Sequence, residues 1–249
     1  MIRIAFLCSG SKGNATLVSN GQSLLLFDMG ASKQTLSKGC ALFGKKIEDI
    51  DAAFFTHEHT DHISGWRYLP PSITCYCSFP IDFPSSPIKP LDRVEFGSLT
   101  VTALSASHDA VNPLSYLIED GGEKLAYVTD TGYIKKTTLK AIANCDYYLL
   151  ESNHDPYLEA HSGRSARLVS RVLGRKGHLS NADSAKYFLK VFGDKTKAVY
   201  LGHLSEDCNT PKLALDAYLH SAEEFGVSLE GIKIIPTSQR DVVLGGDWE

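Results

Sequence analysis

The sequence predicts an α/β fold in which two β-sheets pack face to face and carry helices on their outer surfaces. The main observation is the order of elements, because a series of short strands followed by a helical stretch occurs twice along the chain. A second observation is that histidines and acidic residues directly follow several apolar strands. With 249 residues, of which 43% are apolar, the chain can form one large core, and we expect a single domain over residues 1–249.

The elements are predicted from short apolar runs and from turn residues between them. The first round contains three strands, a helix and a further strand, over residues 2–8, 15–19, 23–28, 31–44 and 51–56. The second round contains strands over 72–77, 92–96, 99–106, 114–120 and 124–130, a helix over 135–145 and a strand over 146–152. The last third is mostly helical, with strands over 197–202 and 232–237. The proline-rich segment 79–90 is predicted to be a surface loop.

The composition gives no global indication of a nucleic-acid or membrane partner. The formal net charge is −4, so a polyanion would have to be held by a local basic patch. No apolar stretch has the length of a transmembrane helix, and the first ten residues do not resemble a signal peptide. The six cysteines are scattered through apolar segments, which is typical of free thiols in a reducing compartment. We therefore expect a cytoplasmic protein without a membrane partner.

The segment "FFTHEHTDHISG" (54–65) places three histidines and two acidic residues directly after an apolar strand. Imidazoles and carboxylates suit Zn²⁺ and can also hold Mn²⁺. Because His57, His59, Asp61 and His62 are too close together to surround one ion comfortably, we expect two adjacent divalent ions. Thr60 is expected to cap the short helix that follows.

Two adjacent ions need further ligands from elsewhere in the chain. His108, Asp130 and His203 each follow an apolar strand, and ligands at strand ends can converge on one rim of a sheet sandwich. Taken alone, each histidine is more often a core or surface residue than a ligand. Their agreement with the cluster at 57–62 favours a shared metal site.

The pattern H-x-H-x-D-H, followed by a strand-end His, Asp and His, resembles the metallo-β-lactamase fold. The resemblance implies an αββα sandwich of two mixed sheets with a two-metal site at one edge. It also implies the ligand sets, which are His57, His59 and His108 for one ion, Asp61, His62 and His203 for the other, and Asp130 as the bridge. Asp28 in "LLLFDMG" matches an early aspartate that supports the histidine loop from behind, although a simple turn residue remains an alternative.

Spacing separates this chain from several branches of the fold. Asp130 argues against true lactamases, which usually lack the bridging aspartate. Only 46 residues follow His203, too few for the C-terminal helical domain of glyoxalase II-like thioesterases. The 73 positions from Asp130 to His203 leave no room for the inserted cap domain of larger nucleases.

Glu151 and His178 resemble a catalytic pair of tRNase Z. Glu151 ends the apolar run of "YYLLESNHD", and His178 precedes a predicted helix in "KGHLSNADSA". In that family the pair protonates the leaving oxygen of a phosphodiester, and general-acid help of this kind contributes about 10²–10⁴-fold in rate. A capping glutamate and a helix-start histidine are the alternative.

Five motifs along the whole chain resemble the YycJ/WalJ family of 5′→3′ DNA exonucleases, namely "CSGSKGNATLV", "THEHTDHISG", "ESNHD", "GHLSN" and "LGHLSEDCN". The resemblance implies a dinuclear phosphodiesterase that binds two Zn²⁺ or Mn²⁺ ions and acts on DNA in preference to RNA. In this reading, Asp61 and Asp130 orient the attacking water, and His178 with Glu151 protonates the leaving group.

Candidate substrate contacts lie in three segments. The first is "SGRSARLVSRVLGRKG", in which Arg164, Arg167, Arg171 and Arg175 are predicted to line one helical face, either for phosphates or as an ordinary solvated face. The second is the turn "SGSKGN", where Ser11 and Asn14 can hold a phosphate or simply form a tight hairpin. The third group comprises His154, Ser180 and Asn181, and Ser180 can also cap a helix.

Two other classes of function remain open from the sequence. A small-molecule metallohydrolase, such as a cyclic-nucleotide phosphodiesterase or an esterase, would use the same metals but would not need an arginine face. A non-catalytic scaffold protein would not need a complete ligand set together with a proton donor.

Overall fold

The first sheet is formed by strands from both ends of the chain. The structure, a computed structural model, describes residues 1–248. The strands are β1 (Arg3–Cys8), β2 (Ala15–Ser19), β3 (Leu24–Phe27), β4 (Ala52–Phe54), β5 (Thr74–Cys77), β6 (Ser85–Pro87) and β14 (Val243–Gly246). Their order across the sheet is β14-β1-β2-β3-β4-β5-β6. Pairing is antiparallel from β14 to β3 and parallel from β3 to β6.

The second sheet repeats this arrangement with the middle of the chain. It contains β7 (Arg93–Phe96), β8 (Leu99–Ser105), β9 (Leu114–Asp120), β10 (Glu123–Val128), β11 (Tyr147–Glu151), β12 (Ala198–Gly202) and β13 (Lys233–Pro236). The order is β13-β12-β11-β10-β9-β8-β7. Strands β7 to β10 are antiparallel, whereas β10 to β13 are parallel, so the carboxyl ends of β10, β11 and β12 meet at one edge.

Because side chains along each strand point alternately to its two faces, some apolar residues lie between the two sheets and others lie on the outer faces, under the helices. Phe6 and Tyr127 point into the layer between the sheets, where Phe27 packs on Phe54 and Tyr127 with ring centroids 5.3 Å apart in both pairs. The helices are α1 (Lys33–Leu42), α2 (Thr60–Ile63), α3 (Lys136–Ala141), α4 (Pro156–Ala160), α5 (Ala166–Val172), α6 (Asn181–Val191) and α7 (Pro211–Glu224). Helix α1 packs on the outer face of the first sheet, and α6 and α7 pack on that of the second. The predicted αββα sandwich is confirmed.

Two strands were not predicted. The segment 79–90 is not entirely a surface loop, because it contains β6 and buries Phe79 and Ile88. An edge strand pairs on one side only and therefore tolerates the prolines that argued against a strand. Strand β14 pairs with β1, although the two strands lie near opposite ends of the sequence. Its sequence "VLGG" has too few apolar residues to indicate a strand.

A close approach of three loops fixes the edge of the first sheet. The Asn14 N–H donates to the Asp61 carbonyl at 2.8 Å, and the Gly30 N–H donates to the Asn14 carbonyl at 2.8 Å. A Cβ atom on Gly30 would lie 1.6 Å from the Asp61 carbonyl oxygen, and one on Gly13 would lie 2.2 Å from the Gly30 carbonyl oxygen. The glycines therefore allow the β1–β2 turn to pack directly against the segment that carries the histidines.

We predict that Gly30→Ala destabilises the protein by about 3 kcal/mol or prevents folding, because backbone atoms cannot move away as a flexible side chain can. Gly44→Ala is the matched control. Gly44 has a φ of 67° and no neighbouring atom within 4 Å of its added Cβ, so only the left-handed backbone penalty of about 1–2 kcal/mol applies. Urea unfolding measures both, and equal losses would contradict the steric account.

Candidate metal centre and active site

The predicted metal ligands converge at the edge of the sandwich where the strands end. The histidine segment follows β4, His108 follows β8, Asp130 follows β10, and His203 follows β12. Their ligand atoms form overlapping groups within 4.8 Å, namely His57–His59–His108, Asp61–His62–His203 and His57–His62–Asp130. All seven residues named from the sequence are thus brought together, and the cluster suits a metal centre.

Asp130 lies between the two histidine groups. Its Oδ2 is 3.2 Å from His62 Nε2, and its Oδ1 is 3.3 Å from His203 Nδ1 and 3.9 Å from His108 Nε2. No other carboxylate in the described chain approaches three of these imidazoles so closely. This position is the one that a bridging ligand needs.

Three residues of the site have left-handed backbone conformations. Asp28, Asp130 and His203 have φ values of 57°, 50° and 55°, each immediately or soon after its strand ends. Such conformations are unfavourable for non-glycine residues and persist only where the surroundings impose them. The left-handed residue turns the chain sharply, so that its side chain enters the cluster and does not continue along the strand.

Hydrogen bonds from outside the cluster orient several of the imidazoles. Asp28 accepts the Thr56 N–H at 2.8 Å with one oxygen and His62 Nδ1–H at 2.9 Å with the other. His108 Nδ1 donates to the Gly177 carbonyl at 3.0 Å. Each bond places the proton on Nδ1 and leaves Nε2 with its lone pair towards the cluster, which is the usual support for metal-binding histidines.

The cluster contains buried nitrogen atoms without partners. His57 Nε2 and His203 Nε2 are buried, and neither has a hydrogen-bond partner. Burial, together with the neighbouring His62, lowers the pKa of His57 well below its usual range, so this imidazole is neutral and has a free lone pair. An unpaired buried nitrogen is costly, and two divalent cations, one beside each histidine, would satisfy these atoms.

The electrostatics of the cluster favour a positive charge. Burial alone would lower the pKa of His203, but Asp130, Asp61 and Glu151 overcome it and raise this pKa to about 10. Burial alone would raise the pKa of Asp130, but the nearby His203 and His62 hold it well below its usual value. The carboxylates are therefore ionised and can compensate bound cations.

Glu151 and His178 form the contact that the sequence predicted. His178 Nδ1 donates to Glu151 Oε1 at 2.7 Å, and the other carboxylate oxygen accepts the N–H groups of Thr131 at 2.8 Å and Leu179 at 3.1 Å. Burial opposes ionisation of Glu151, but the charge and hydrogen bond of His178 and the hydrogen bond of His203 lower its pKa to about 2. The histidine is therefore held by a fixed negative charge.

The sequence did not predict that Glu151 also binds His203. His203 Nδ1 donates to the same Oε1 at 2.9 Å, so one carboxylate oxygen joins the candidate proton donor to a candidate metal ligand. Asp130, Glu151, His178 and His203 also lie close enough to form a group of potential ligands.

Other supporting residues were missed. Thr56 Oγ1 lies 3.0 Å from Asp28 Oδ1 and accepts from His57 Nδ1 at 2.9 Å, and Asn153 Nδ2 donates to the His203 carbonyl at 2.8 Å. Their positions inside "FFTHEH" and "ESNHD" were the available signal. A polar residue adjacent to a ligand is a candidate for orienting it.

Asn14 lies at the cluster, whereas Ser11 does not. The Asn14 side chain closes the turn, because its Oδ1 accepts the Gly10 N–H at 2.9 Å and its Nδ2 donates to the Gly10 carbonyl at 3.0 Å. The same Nδ2 is 3.0 Å from His62 Nε2. The hairpin interpretation of this turn is therefore favoured. Ser11 is exposed.

The prediction that four arginines line one helical face is wrong. Helix α5 spans only Ala166–Val172, so Arg164 precedes it and Arg175 follows it. Arg164 pairs with the buried Glu159 at 2.9 Å and with Asp207 at 2.8 Å. The prediction failed because the arginines keep a helical spacing beyond the residue at which the helix ends. The glycines of "LGRKG" were the sequence signal that the helix does not continue.

The two remaining arginines, Arg167 and Arg171, lie on α5. Arg171 pairs with Asp109 at 2.5 Å, and Asp109 Oδ1 is 3.4 Å from His108 Nε2, so this pair lies at the rim of the site. Arg167 is exposed. One basic side chain, that of Arg171, therefore borders the cluster.

Three other candidates for substrate contact are largely buried. His154 is 1% exposed and its backbone forms an isolated bridge with Ser180, so the buried ring is not available for direct contact with substrate. Asn181 is also buried and exchanges hydrogen bonds with Asn209 at 2.9 Å. Ser180 caps α6 by accepting the Asp183 N–H at 3.1 Å, as predicted.

The predicted cap of α2 is wrong. Thr60 is the first residue of the helix, the capping position is His59, and no side chain makes a cap hydrogen bond there. The His59 side chain instead lies beside His108, with its Nδ1 3.3 Å from His108 Nε2.

Fold and site together define a metal-dependent hydrolase of the metallo-β-lactamase superfamily. Residues 25–203 match the family model of the beta-lactamase superfamily domain. A solved structure of similar fold is that of the metallo-beta-lactamase fold protein YhfI from Bacillus subtilis, with a TM-score of 0.70, 17% identity, and coverage of 98% of this chain and 99% of that one.

Two curated relatives narrow the classification. The chain is 33% identical over 228 residues to exodeoxyribonuclease WalJ of Streptococcus pneumoniae, covering 85% of each protein. It is 31% identical over 247 residues to exodeoxyribonuclease YycJ of Bacillus anthracis, covering 90% of each. The chain belongs to the WalJ/YycJ family within the superfamily.

We predict that Asp28→Asn weakens binding of Zn²⁺ or Mn²⁺ by about 10–100-fold, because an amide supports His62 less strongly than a carboxylate. Competition with a chromophoric chelator measures the affinity. Asp51→Asn is the matched control, since Asp51 accepts the Leu24 N–H at 2.8 Å at the opposite end of β4. Unchanged affinity in Asp28→Asn would contradict the supporting role.

Proposed function

We propose that this chain is a dinuclear metal-dependent exonuclease that hydrolyses DNA from the 5′ end. The observation that carries the proposal is the contact of His178 with Glu151 at 2.7 Å beside seven potential metal ligands, because phosphodiester hydrolysis needs both components. The relatives from Streptococcus pneumoniae and Bacillus anthracis are both named exodeoxyribonucleases, which supports DNA as the substrate. The proposed direction of cleavage, from the 5′ end, rests on the motifs that this chain shares with the family.

The proposed ligand sets follow the groups in the structure. His57, His59 and His108 would hold one ion, Asp61, His62 and His203 the other, and Asp130 would contact both. Two Zn²⁺ or Mn²⁺ ions bound there would supply Lewis-acid chemistry for phosphodiester hydrolysis. Asp61 has 24% of its side chain exposed, whereas His62 is fully buried, so the Asp61 carboxylate is available at the open side to orient an attacking water together with Asp130.

His178 is the proposed general acid. Glu151 is ionised and accepts from His178 Nδ1 at 2.7 Å, so the ring is held in one orientation and its Nε2 is the nitrogen left to carry the transferred proton. The His178 side chain is 12% exposed, so its second nitrogen can reach a bound substrate. Proton transfer from Nε2 to the leaving sugar oxygen avoids release of an alkoxide.

Residues outside the metal cluster support two further parts of the proposal, which are a large polyanionic substrate and a reducing compartment. Arg167 and Arg171 would contact backbone phosphates near the cluster. All six cysteines are free and buried, which supports the proposed cytoplasmic location. Among residues 1–248 no helix combines the length and apolarity that a membrane span requires. We propose one catalytic domain over residues 1–249.

A small-molecule hydrolase is the second candidate, because the metal cluster alone would serve either substrate. The decisive experiment uses single- and double-stranded DNA and RNA labelled at the 5′ or the 3′ end, with chelated protein reloaded with Zn²⁺ or Mn²⁺. We expect metal-dependent release of mononucleotides from the 5′ end of DNA. Cleavage of cyclic nucleotides or esters, without any hydrolysis of DNA, would overturn the proposal.

We predict that His178→Ala lowers turnover of DNA by about 10²-fold or more and retains both ions. A p-nitrophenyl phosphodiester should be affected far less, because its leaving group needs no proton. Glu151→Gln should show the same pattern more mildly, because an amide oxygen can still accept a hydrogen bond, and the double variant should be little worse than His178→Ala.

The control for this prediction is His220→Ala, which removes an exposed histidine on α7 and should change neither substrate. Metal content is measured on every variant by elemental analysis. Loss of an ion from His178→Ala, or equal slowing of both substrates, would show that His178 is a ligand and not a proton donor.

A further inference from the structure

A groove of about 550 Å³ adjoins the metal centre on the side of His108. Its walls come from the β8–β9 loop, the loop after β10, the loop after α5 and the segment around Lys89. Lys135 and Lys176 line it from two of these loops, and Tyr133 also contributes to the lining. We call this feature the lysine groove, defined by Lys89, Tyr133, Lys135 and Lys176.

The charge of the lysine groove differs from that of the whole chain. The formal net charge is −4, yet the residues that line the groove include three lysines and no aspartate or glutamate. None of the three ammonium groups forms an ion pair within residues 1–248, whereas Arg164 and Arg171 are both paired with carboxylates. Three unpaired cations on one concave surface favour a polyanion.

An aromatic ring accompanies these cations. Tyr133 is partly exposed, and the Arg175 guanidinium carbon lies 4.4 Å from its ring centroid. This cation–π contact supports the ring on one of its faces. An aromatic ring among lysines is the combination that binds single-stranded nucleic acid, in which bases stack and phosphates pair with cations.

The loop that carries Tyr133 is fixed to the active site. The Thr131 N–H donates to Glu151 Oε2 at 2.8 Å, Thr131 Oγ1 donates to the Tyr133 carbonyl at 2.9 Å, and the Gly132 N–H donates to the Ser107 carbonyl at 2.8 Å. A Cβ on Gly132 would lie 2.5 Å from the Arg175 backbone, so the two loops are in direct contact. The groove is therefore preformed, and its Tyr133 loop is held by the same glutamate that holds the proposed proton donor.

We propose that the lysine groove binds the single-stranded segment of DNA adjacent to the scissile phosphate, with a base stacked on Tyr133 and phosphates at Lys135 and Lys176. The proposal rests on the proposed function and assigns residues to its substrate. Substrate length is the property that the groove controls, because nucleotides beyond the cleaved bond occupy it.

The test compares Lys135→Ala/Lys176→Ala with wild-type protein on single-stranded oligonucleotides of 2 to about 20 nucleotides. On the long substrate we expect KM to rise about tenfold or more and the salt dependence of log kcat/KM to become shallower by about 1.4, the contribution of two phosphate contacts on a single strand. On a dinucleotide and on a p-nitrophenyl phosphodiester, kcat/KM should not change.

Tyr133 is tested separately by replacement with leucine and phenylalanine. Tyr133→Leu should raise KM for the long substrate by between about 5- and 150-fold, and Tyr133→Phe should retain wild-type KM because its ring still stacks. Lys33→Ala/Lys38→Ala removes the same charge from the outer helix α1 and should have no effect.

The outcomes separate this proposal from the proposed function. A wild-type protein that hydrolyses no phosphodiester overturns the function itself. A wild-type exonuclease whose groove variants lose equally on short and long substrates, lose nothing on either, or lose only on duplex DNA overturns the assignment of the lysine groove to a single strand.

Discussion

Compensation of buried charge is the constraint on which the edge of the sandwich depends. Asp28, Asp130 and Glu151 are almost completely buried, and isolated buried carboxylates are costly. Each is surrounded by histidines or backbone N–H groups, and two of those histidines retain a buried nitrogen without a partner. Bound divalent cations would complete the compensation. The left-handed conformations at Asp28 and Asp130 and the close glycine contacts hold the chain in the geometry that this requires.

The same constraint connects metal binding with proton transfer. Glu151 Oε1 accepts from both His203 and His178, and its other oxygen accepts from the loop that leads to Tyr133. Glu151 therefore contacts a candidate metal ligand, the proposed proton donor and the loop that leads to the lysine groove. This arrangement explains why a buried glutamate, which contributes little apolar packing, occupies the end of a central strand.

The sequence predicted the parts of the site that follow strands, because polar clustering after an apolar run has few structural explanations. His57 and Asp130 were predicted in this way, whereas Glu151 was named from the resemblance to tRNase Z. The arginines were misplaced because helical spacing does not show where α5 ends, and β14 was missed because its partner lies at the other end of the chain. The lysine groove was not recognisable either, since its lysines come from three distant segments that only the fold brings together.

The central claim is that cations compensate this cluster of buried charge, with Asp130 between them. Anomalous X-ray diffraction, recorded above and below the absorption edge of Zn²⁺ or Mn²⁺ on crystals grown with that ion, tests it most directly. The account predicts two anomalous peaks in the cluster, one beside His57, His59 and His108, the other beside Asp61, His62 and His203, and both next to Asp130. A single peak, or peaks that do not contact Asp130, would contradict it.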